Sequence, residues 1–262
     1  MDFLTHHLRK VPAFRALLRS VECRLFEQAS PLDPPVLDLG CGDGHFASIA
    51  FRSPLFAGFD LDESAVREAA NRSVYRLALI ASAPAMPFAD ASFATVVSNC
   101  VVEHIPDLEG TLAEVHRVLR PGGRFLFGVP SDRFADLLMG STLLRNVGLR
   151  GLADRYGGWF NSHSDHFHTD SPEVWLERLD RLGFEVTRWQ YYMTPAGHRA
   201  FDLAHYLGLP NLISRKLTGK WVLWHNPITL QLMEQWLRPY YEASPPDEGP
   251  YIFFEARRKS AN

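Results

Sequence analysis

Apolar residues come in short runs separated by amphipathic stretches along most of the chain. Val36-Leu37-Asp38-Leu39, Leu55–Asp60, Tyr75–Ala81, Phe93–Asn99 and Arg124–Val129 read as buried strands bounded by turn-forming residues. Between them, Gly44–Phe51 and Ser64–Asn71 have helical spacing. A third helix is capped by Asp107, carries Leu108, Leu112, Val115 and Leu119 on one face, and is stopped by Pro121-Gly122-Gly123. Further on, Ser171-Pro172 opens a helix striped by Trp175, Leu179 and Leu182 and closed by Gly183. Phe184–Met193 and Tyr251–Arg257 read as later strands. Strand alternating with helix predicts an α/β fold with a doubly wound, parallel sheet through its fifth strand.

Residues 1–30 also have helical spacing, with Phe14, Leu17, Leu18, Val21 and Leu25 recurring beside Arg15, Arg19 and Arg24. They are expected to form an N-terminal helical cap packed on the edge of the core, its arginines in water. A cover over the ligand pocket, or a basic face for an anionic acceptor, is the sharper alternative. Pro34-Pro35 ends this segment, and residues 31–262 then make up the main domain. Two stretches, 131–170 and 197–248, fit no strand-and-helix unit; segments of that length in a compact domain are usually functional or disordered.

The first strand runs into Gly40-Cys41-Gly42-Asp43-Gly44-His45, which reads as a sharp turn into a helix. Gly40 and Gly42 suit a ligand lying against bare main chain, and Gly44 suits close packing of the next helix. Such a ligand belongs in the crevice at the carboxyl end of the strand. A dinucleotide turn needs glycine or alanine at its sixth position, where this chain has His45. Asp43 would also set a carboxylate beside a pyrophosphate. S-adenosylmethionine carries a sulfonium and an ammonium and no phosphate, so Asp38 and Asp43 are tolerable or favourable for it. Cys41 is read as a small filler within the turn.

The region 34–130 resembles the class I S-adenosylmethionine-dependent methyltransferases, in particular the group that includes the ubiquinone and menaquinone biosynthesis methyltransferases. Four blocks in order carry the resemblance: the glycine turn; Ala57-Gly58-Phe59-Asp60; Ala85-Met86-Pro87-Phe88 with Ser92-Phe93; and Glu103-His104 followed by Arg120-Pro121-Gly122-Gly123. It implies a Rossmann-like, doubly wound, seven-stranded sheet, with the two extra stretches as helical lid insertions on the acceptor side. It also implies S-adenosyl-L-methionine as cofactor, held by Asp38, Gly40, Cys41, Gly42, Gly44, Asp60, Leu61, Ser82, Ala83, Asn99 and Cys100. Asp60, about twenty residues beyond Gly40, is placed to accept both ribose hydroxyls. Ser82 stands where related enzymes usually carry an acid for the adenine amino group, and Ala94 where they usually carry Asp. A hydroxyl or the backbone at Ala83 would have to serve the adenine.

Methyl transfer needs a base only where the nucleophile holds its proton firmly. His104, in the loop after the fourth strand, is the first candidate; a structural histidine bonded to Glu103 or to backbone is the equal alternative. The second is Trp159-Phe160-Asn161-Ser162-His163-Ser164-Asp165-His166-Phe167-His168, with three histidines in six residues. An extended conformation would put His166 and His168 on one face. This segment could bind metal, contact the acceptor or cap the next helix, and acceptor contact is preferred. His104, His163 and His166 are therefore the catalytic candidates, and Tyr156, Trp159 and His168 the substrate contacts; no residue is assigned to a metal. The aromatic wealth of the insertions, which also includes Tyr191, Tyr192, Tyr206, Trp221, Trp224, Trp236, Tyr240 and Tyr241, suits packing first and an apolar or flat ligand second. Arg215, Lys216 and Lys220 beside Trp221-Val222-Leu223-Trp224 read as a solvated turn before a contact for a lipid-linked or phosphorylated acceptor.

Bulk properties change little. A net charge of -3 and a pI near 6.4 give no basic stripe for nucleic acid. Three cysteines without a paired motif read as free thiols in a reducing compartment. With no transmembrane run and no secretion signal, a soluble cytoplasmic protein is expected. The function expected is transfer of a methyl group to a small-molecule acceptor, oxygen before nitrogen or carbon. A nicotinamide-dependent oxidoreductase and a methyltransferase-like binding protein without turnover are the alternatives.

Overall fold

The structure is a computed structural model, and it describes residues 2–208, 217–218 and 226–260. The chain divides into two compact units, one built on a sheet and one helical. The sheet unit takes residues 25–132, 165–190 and those from 252 on.

Among the described residues, seven strands lie in the order β3-β2-β1-β4-β5-β7-β6. Their ranges are β1 (Val36–Leu39), β2 (Leu55–Asp60), β3 (Tyr75–Ile80), β4 (Phe93–Asn99), β5 (Leu119–Pro130), β6 (Phe184–Tyr192) and β7 (Tyr251–Arg258). Every residue of β1 is buried, and the strand is parallel to both neighbours, with Leu37 opposite Ala57 on one side and Val96 on the other. β2–β3 and β4–β5 are parallel as well. Lys259 N–H donates to the Gly183 carbonyl and Thr187 Oγ1 to that of Glu255, so as β6 advances β7 recedes, and the two are antiparallel. The chain winds from β1 out to β3 and then returns to β4 on the other side of β1. The crevice at the carboxyl ends of β1 and β4 is therefore the switch point of the sheet.

The helices of this unit follow from their caps and apolar stripes. Asp62 caps α4 (Glu63–Asn71) through Ser64 N–H at 2.8 Å, and Asp107 caps α5 (Leu108–Val118) through Gly110 N–H at 2.9 Å. Pro172 starts α9 (Pro172–Arg181), which buries Trp175 and Leu179. Two elements depart from the expected bounds. The helix expected over Gly44–Phe51 is regular only at α3 (Ala47–Ala50), because Asp43 Oδ1 draws the His45 N–H into a side-chain turn. β5 begins at Leu119, not Arg124: Leu119 pairs with Phe93 and Arg124 with Thr95 across a register shift, leaving Gly122 at φ +75 in the bulge. Leu119 is thus buried in the sheet and not on the face of α5. Phe127 stacks on Phe125 at 4.4 Å and on Phe254 of β7 at 5.0 Å, with Trp175 at 5.4 Å. That aromatic column is the centre of the core.

The helical unit takes the residues up to Arg24, 133–164 and the described part of 191–251. It contains α1 (Phe3–Leu8), most of α2 (Ala13–Gln28), α6 (Phe134–Leu137), α7 (Met139–Asn146), α8 (Arg150–His163), α10 (Pro195–Leu207) and α11 (Pro227–Tyr241). Its core gathers on Phe134, which meets Phe160, His198 and Tyr251. Asp202 is buried and accepts from the Tyr156 hydroxyl at 2.9 Å and from Gly140 N–H at 3.2 Å. The arginines of α2 are not free in water as expected: Arg19 pairs with buried Glu22 at 2.7 Å, and Arg24 lies over the Tyr241 ring and donates to its carbonyl. Residues 215, 216 and 220–224, the basic and aromatic stretch noted above, lie outside the described residues. Among the described residues, no helix is long and apolar enough to cross a membrane.

Candidate active site

β1 ends at Leu39, and the turn that follows has Gly40, Gly42 and Gly44 at φ +75, +50 and +71. The N–H groups of Gly40 and Cys41 both donate to the Phe59 carbonyl, at 3.0 and 2.9 Å, which pins the turn to the end of β2. A Cβ on Gly40 would come 2.3 Å from Val101, and one on Gly44 would press on Ala69 and Val74 at 3.1–3.2 Å. The missing side chain at Gly44 therefore admits Ala69 of α4. A Cβ on Gly42 would meet nothing within 4 Å. Gly42 is bare main chain beside open space, as a ligand lying on the turn requires.

Asp60 closes β2, and its carboxylate is held by two main-chain donors, Gly42 N–H at 2.9 Å and Asp62 N–H at 3.1 Å. A carboxylate has about four acceptor sites, so lone pairs remain for hydroxyl donors. Asp38 is buried within β1 and accepts a 2.5 Å hydrogen bond from Tyr75. Burial pushes its carboxyl up to about 7, the Tyr75 bond opposing and the Asp60 charge adding to the shift. The Cys41 thiol is pushed well above its ordinary range by burial and then by the Asp38 and Asp60 charges, which keeps it a protonated filler and no nucleophile.

After β3, the Ala81 N–H donates to the Asp60 carbonyl at 3.1 Å, and Ser82 forms a bridge with Ala85. Ala83 in that tight turn is buried, while Leu61 is exposed. At the end of β4, Ser98 Oγ donates to the Leu39 carbonyl at 3.1 Å, and Cys100 N–H to that of Gly128 at 2.9 Å. Cys100 takes φ +52, and a single 3-10 turn, Val102–His104, follows. The donor-side candidates Asp38, Gly40, Cys41, Gly42, Gly44, Asp60, Leu61, Ser82, Ala83, Asn99 and Cys100 all belong to the sheet unit, at or just past the carboxyl ends of β1 to β4.

The histidine segment does not run extended. His163 ends α8 in the helical unit, where its ring stacks on Trp159 at 5.3 Å with an 8° tilt. Asp165 then takes φ +52, and residues 165–168 are fastened to the loop after β4. Phe167 and His168 both donate their N–H to the Glu103 carbonyl, at 2.9 and 3.3 Å. His104 Nδ1 bonds the Asp165 carbonyl at 3.0 Å, and His168 Nε2 that of Ile105 at 3.0 Å. The His104 and His166 rings lie 5.3 Å apart, and Glu103 Oε1 is 3.7 Å from His104 Nε2. Burial, followed by the neighbouring His104, lowers the His166 imidazole to about 4. His104 and His166 are thus brought together, whereas His168 is spent on a backbone carbonyl. Tyr156 and Trp159 sit with His163 in the helical unit, Tyr156 also bonding Tyr206 at 2.6 Å. Tyr75, Val101 and Asp202 are the residues sequence reasoning missed, for each acts through a partner far away in the chain.

Residues 37–127 match the family model described as a methyltransferase domain. Over these residues the chain carries a methyltransferase domain. Its domain is 37% identical over 112 residues to a malonyl-[acyl-carrier protein] O-methyltransferase of Erwinia pyrifoliae, a match covering 42% of each chain. It is also 30% identical over 95 residues to the mitochondrial arginine-hydroxylase NDUFAF5 of Homo sapiens, covering 36% of this chain and 28% of that one. The chain thus spans less than half the length of these curated relatives. Among solved structures, geranyl diphosphate methyltransferase in complex with S-adenosylmethionine superposes with a TM-score of 0.57 at 16% identity, covering 91% of this chain and 85% of that one. Likeness at that identity speaks for the fold alone; the turn, Asp60 and the loop after β4 all fall within the matched residues.

Proposed function

We propose that the chain transfers the methyl group of S-adenosylmethionine to an oxygen of a small-molecule acceptor. The observation that carries this reading is the meeting of Gly40 with Val101, which sets the bare glycine turn against the loop bearing Glu103 and His104. Gly42 offers main chain to the donor and Asp60 a positioned carboxylate to its ribose. A buried Asp38 with a raised pKa is the kind of acid that a cationic ligand draws into its ionised form. Bound there, the donor supplies an electrophilic carbon, and the residues mainly align acceptor and donor away from water.

His104 is the base in this reading. A carbonyl only accepts, so the 3.0 Å bond to Asp165 puts the ring proton on Nδ1 and leaves the Nε2 lone pair to take the acceptor's proton. Glu103, 3.7 Å from Nε2, then steadies the imidazolium. In this reading Tyr156, Trp159 and His163 serve as acceptor contacts, and His166 stands beside the base. The relative named a hydroxylase, and Ser82 and Ala94 in place of usual acids, support a second reading in which the domain binds the donor without transferring methyl. Calorimetry with S-adenosylmethionine and its demethylated product tests the donor site, and absence of heat from both would end the reading. Isotopically labelled donor with cell extract, followed by mass spectrometry, tests transfer: a labelled metabolite establishes turnover, and donor binding without one selects the second reading.

A further inference from the structure

We propose that Glu103, His104 and His166 form a binding site for a divalent first-row transition-metal ion, zinc being the best match. One ligand atom from each residue lies within 4.8 Å of the other two. Two imidazoles and a carboxylate are an established ligand set for zinc with an open fourth position. The Glu103 Oε1 to His104 Nε2 distance of 3.7 Å is close to the edge of a tetrahedron built on bonds of roughly 2.1 Å, which is roughly 3.4 Å. The longest separation, at most 4.8 Å, exceeds that edge by roughly 1.4 Å, within reach of side-chain rotation.

The surroundings are those of a built site. The Asp165 carbonyl fixes the His104 ring through Nδ1, the outer partner that metal-bound imidazoles use to present Nε2. His166 follows Asp165 directly, so one short segment both orients the first imidazole and supplies the second. Main-chain bonds from Phe167 and His168 to the Glu103 carbonyl hold the two segments together whether or not an ion is present. Burial is graded across the three, with Glu103 1% exposed, His166 half-buried and the His104 side chain 38% exposed. An ion would therefore be backed by protein on one side and open to an exogenous oxygen ligand on the other.

Ion and proton compete for the same nitrogen. With the ion bound, His104 is no base, and an acceptor hydroxyl held on the ion would lose its proton to solvent instead. That consequence rests on the transfer reading; the binding of the ion does not.

The test uses the full chain, freed of metal by chelator and dialysed, with circular dichroism as the check on folding. Zinc is titrated by calorimetry, and cobalt(II) is followed through its visible absorption bands. One ion per chain is expected, with His104→Gln and His166→Gln each weakening zinc at least about tenfold and His163→Gln leaving it unchanged. A folded chain that binds no zinc, or binds it equally well in both His104→Gln and His166→Gln, overturns the proposal. Zinc binding lost in those variants while S-adenosylmethionine gives no heat would sustain the ion site and remove the transfer reading.

Discussion

Val101 fills the space that any side chain on Gly40 would need, its nearest carbon 2.3 Å from where the Cβ would stand. The glycine turn and the loop after β4 are therefore packed against each other through a missing side chain. Gly40→Ala combines a left-handed backbone with overpacking and is expected to lose about 2–5 kcal/mol in urea denaturation. Gly42→Ala, at φ +50 with open space around it, should lose only about 1–2 kcal/mol of stability but should weaken the donor in calorimetry. Equal stability losses at the two positions would contradict the packing described.

Asp60 enters the proposed donor site already oriented by Gly42 and Asp62. Asp60→Ala should leave the fold intact and reduce S-adenosylmethionine affinity by about 10- to 100-fold, the worth of hydrogen bonds to a charged group. Unchanged affinity would remove Asp60 from the ribose.

Asp38 makes stability depend on pH in an unusual direction. Between its ordinary value of 3.8 and the raised value of about 7, the folded chain keeps a proton that the unfolded chain has released. Its contribution is complete below the lower value and declines as pH rises, the decline ending above the upper one. Asp38→Asn should flatten that slope, so the difference between wild type and variant in denaturation series at pH 5 and pH 8 isolates it. Parallel series would show that Asp38 is ionised throughout.

His104→Gln separates proton removal from donor binding. With the acceptor found by labelled-donor screening, turnover should fall by about 10²- to 10⁴-fold, while the affinity for S-adenosylmethionine stays at the wild-type value. A variant as fast as wild type would leave His104 with a structural role.

Much of the sheet was legible because β2 and β4 are bounded by turn formers and alternate with amphipathic helices; Leu55–Asp60 and Phe93–Asn99 match their expected limits. The glycine turn was legible for a local reason, since its backbone angles demand residues that show in the sequence. β5 was misjudged because its start is set by pairing with Phe93 across a register shift, information held by another strand. The conformation of the histidine segment was not legible for the same kind of reason. An extended course would put His166 and His168 on one face, but His163 completes α8 and the left-handed Asp165 turns the rest toward the loop at Glu103. Nothing near Tyr75 announces that its hydroxyl serves Asp38, 37 positions away.

The aromatic column of Phe127, Trp175 and Phe254 decides how the gene can be cut. A fragment trimmed to the matched residues 37–127 keeps Phe125 and Phe127 but discards β7 and α9, which cover them. It would expose an open strand edge lined with phenyl rings, a template for aggregation. Expression studies need the carboxyl-terminal strand, however short the region of detectable kinship.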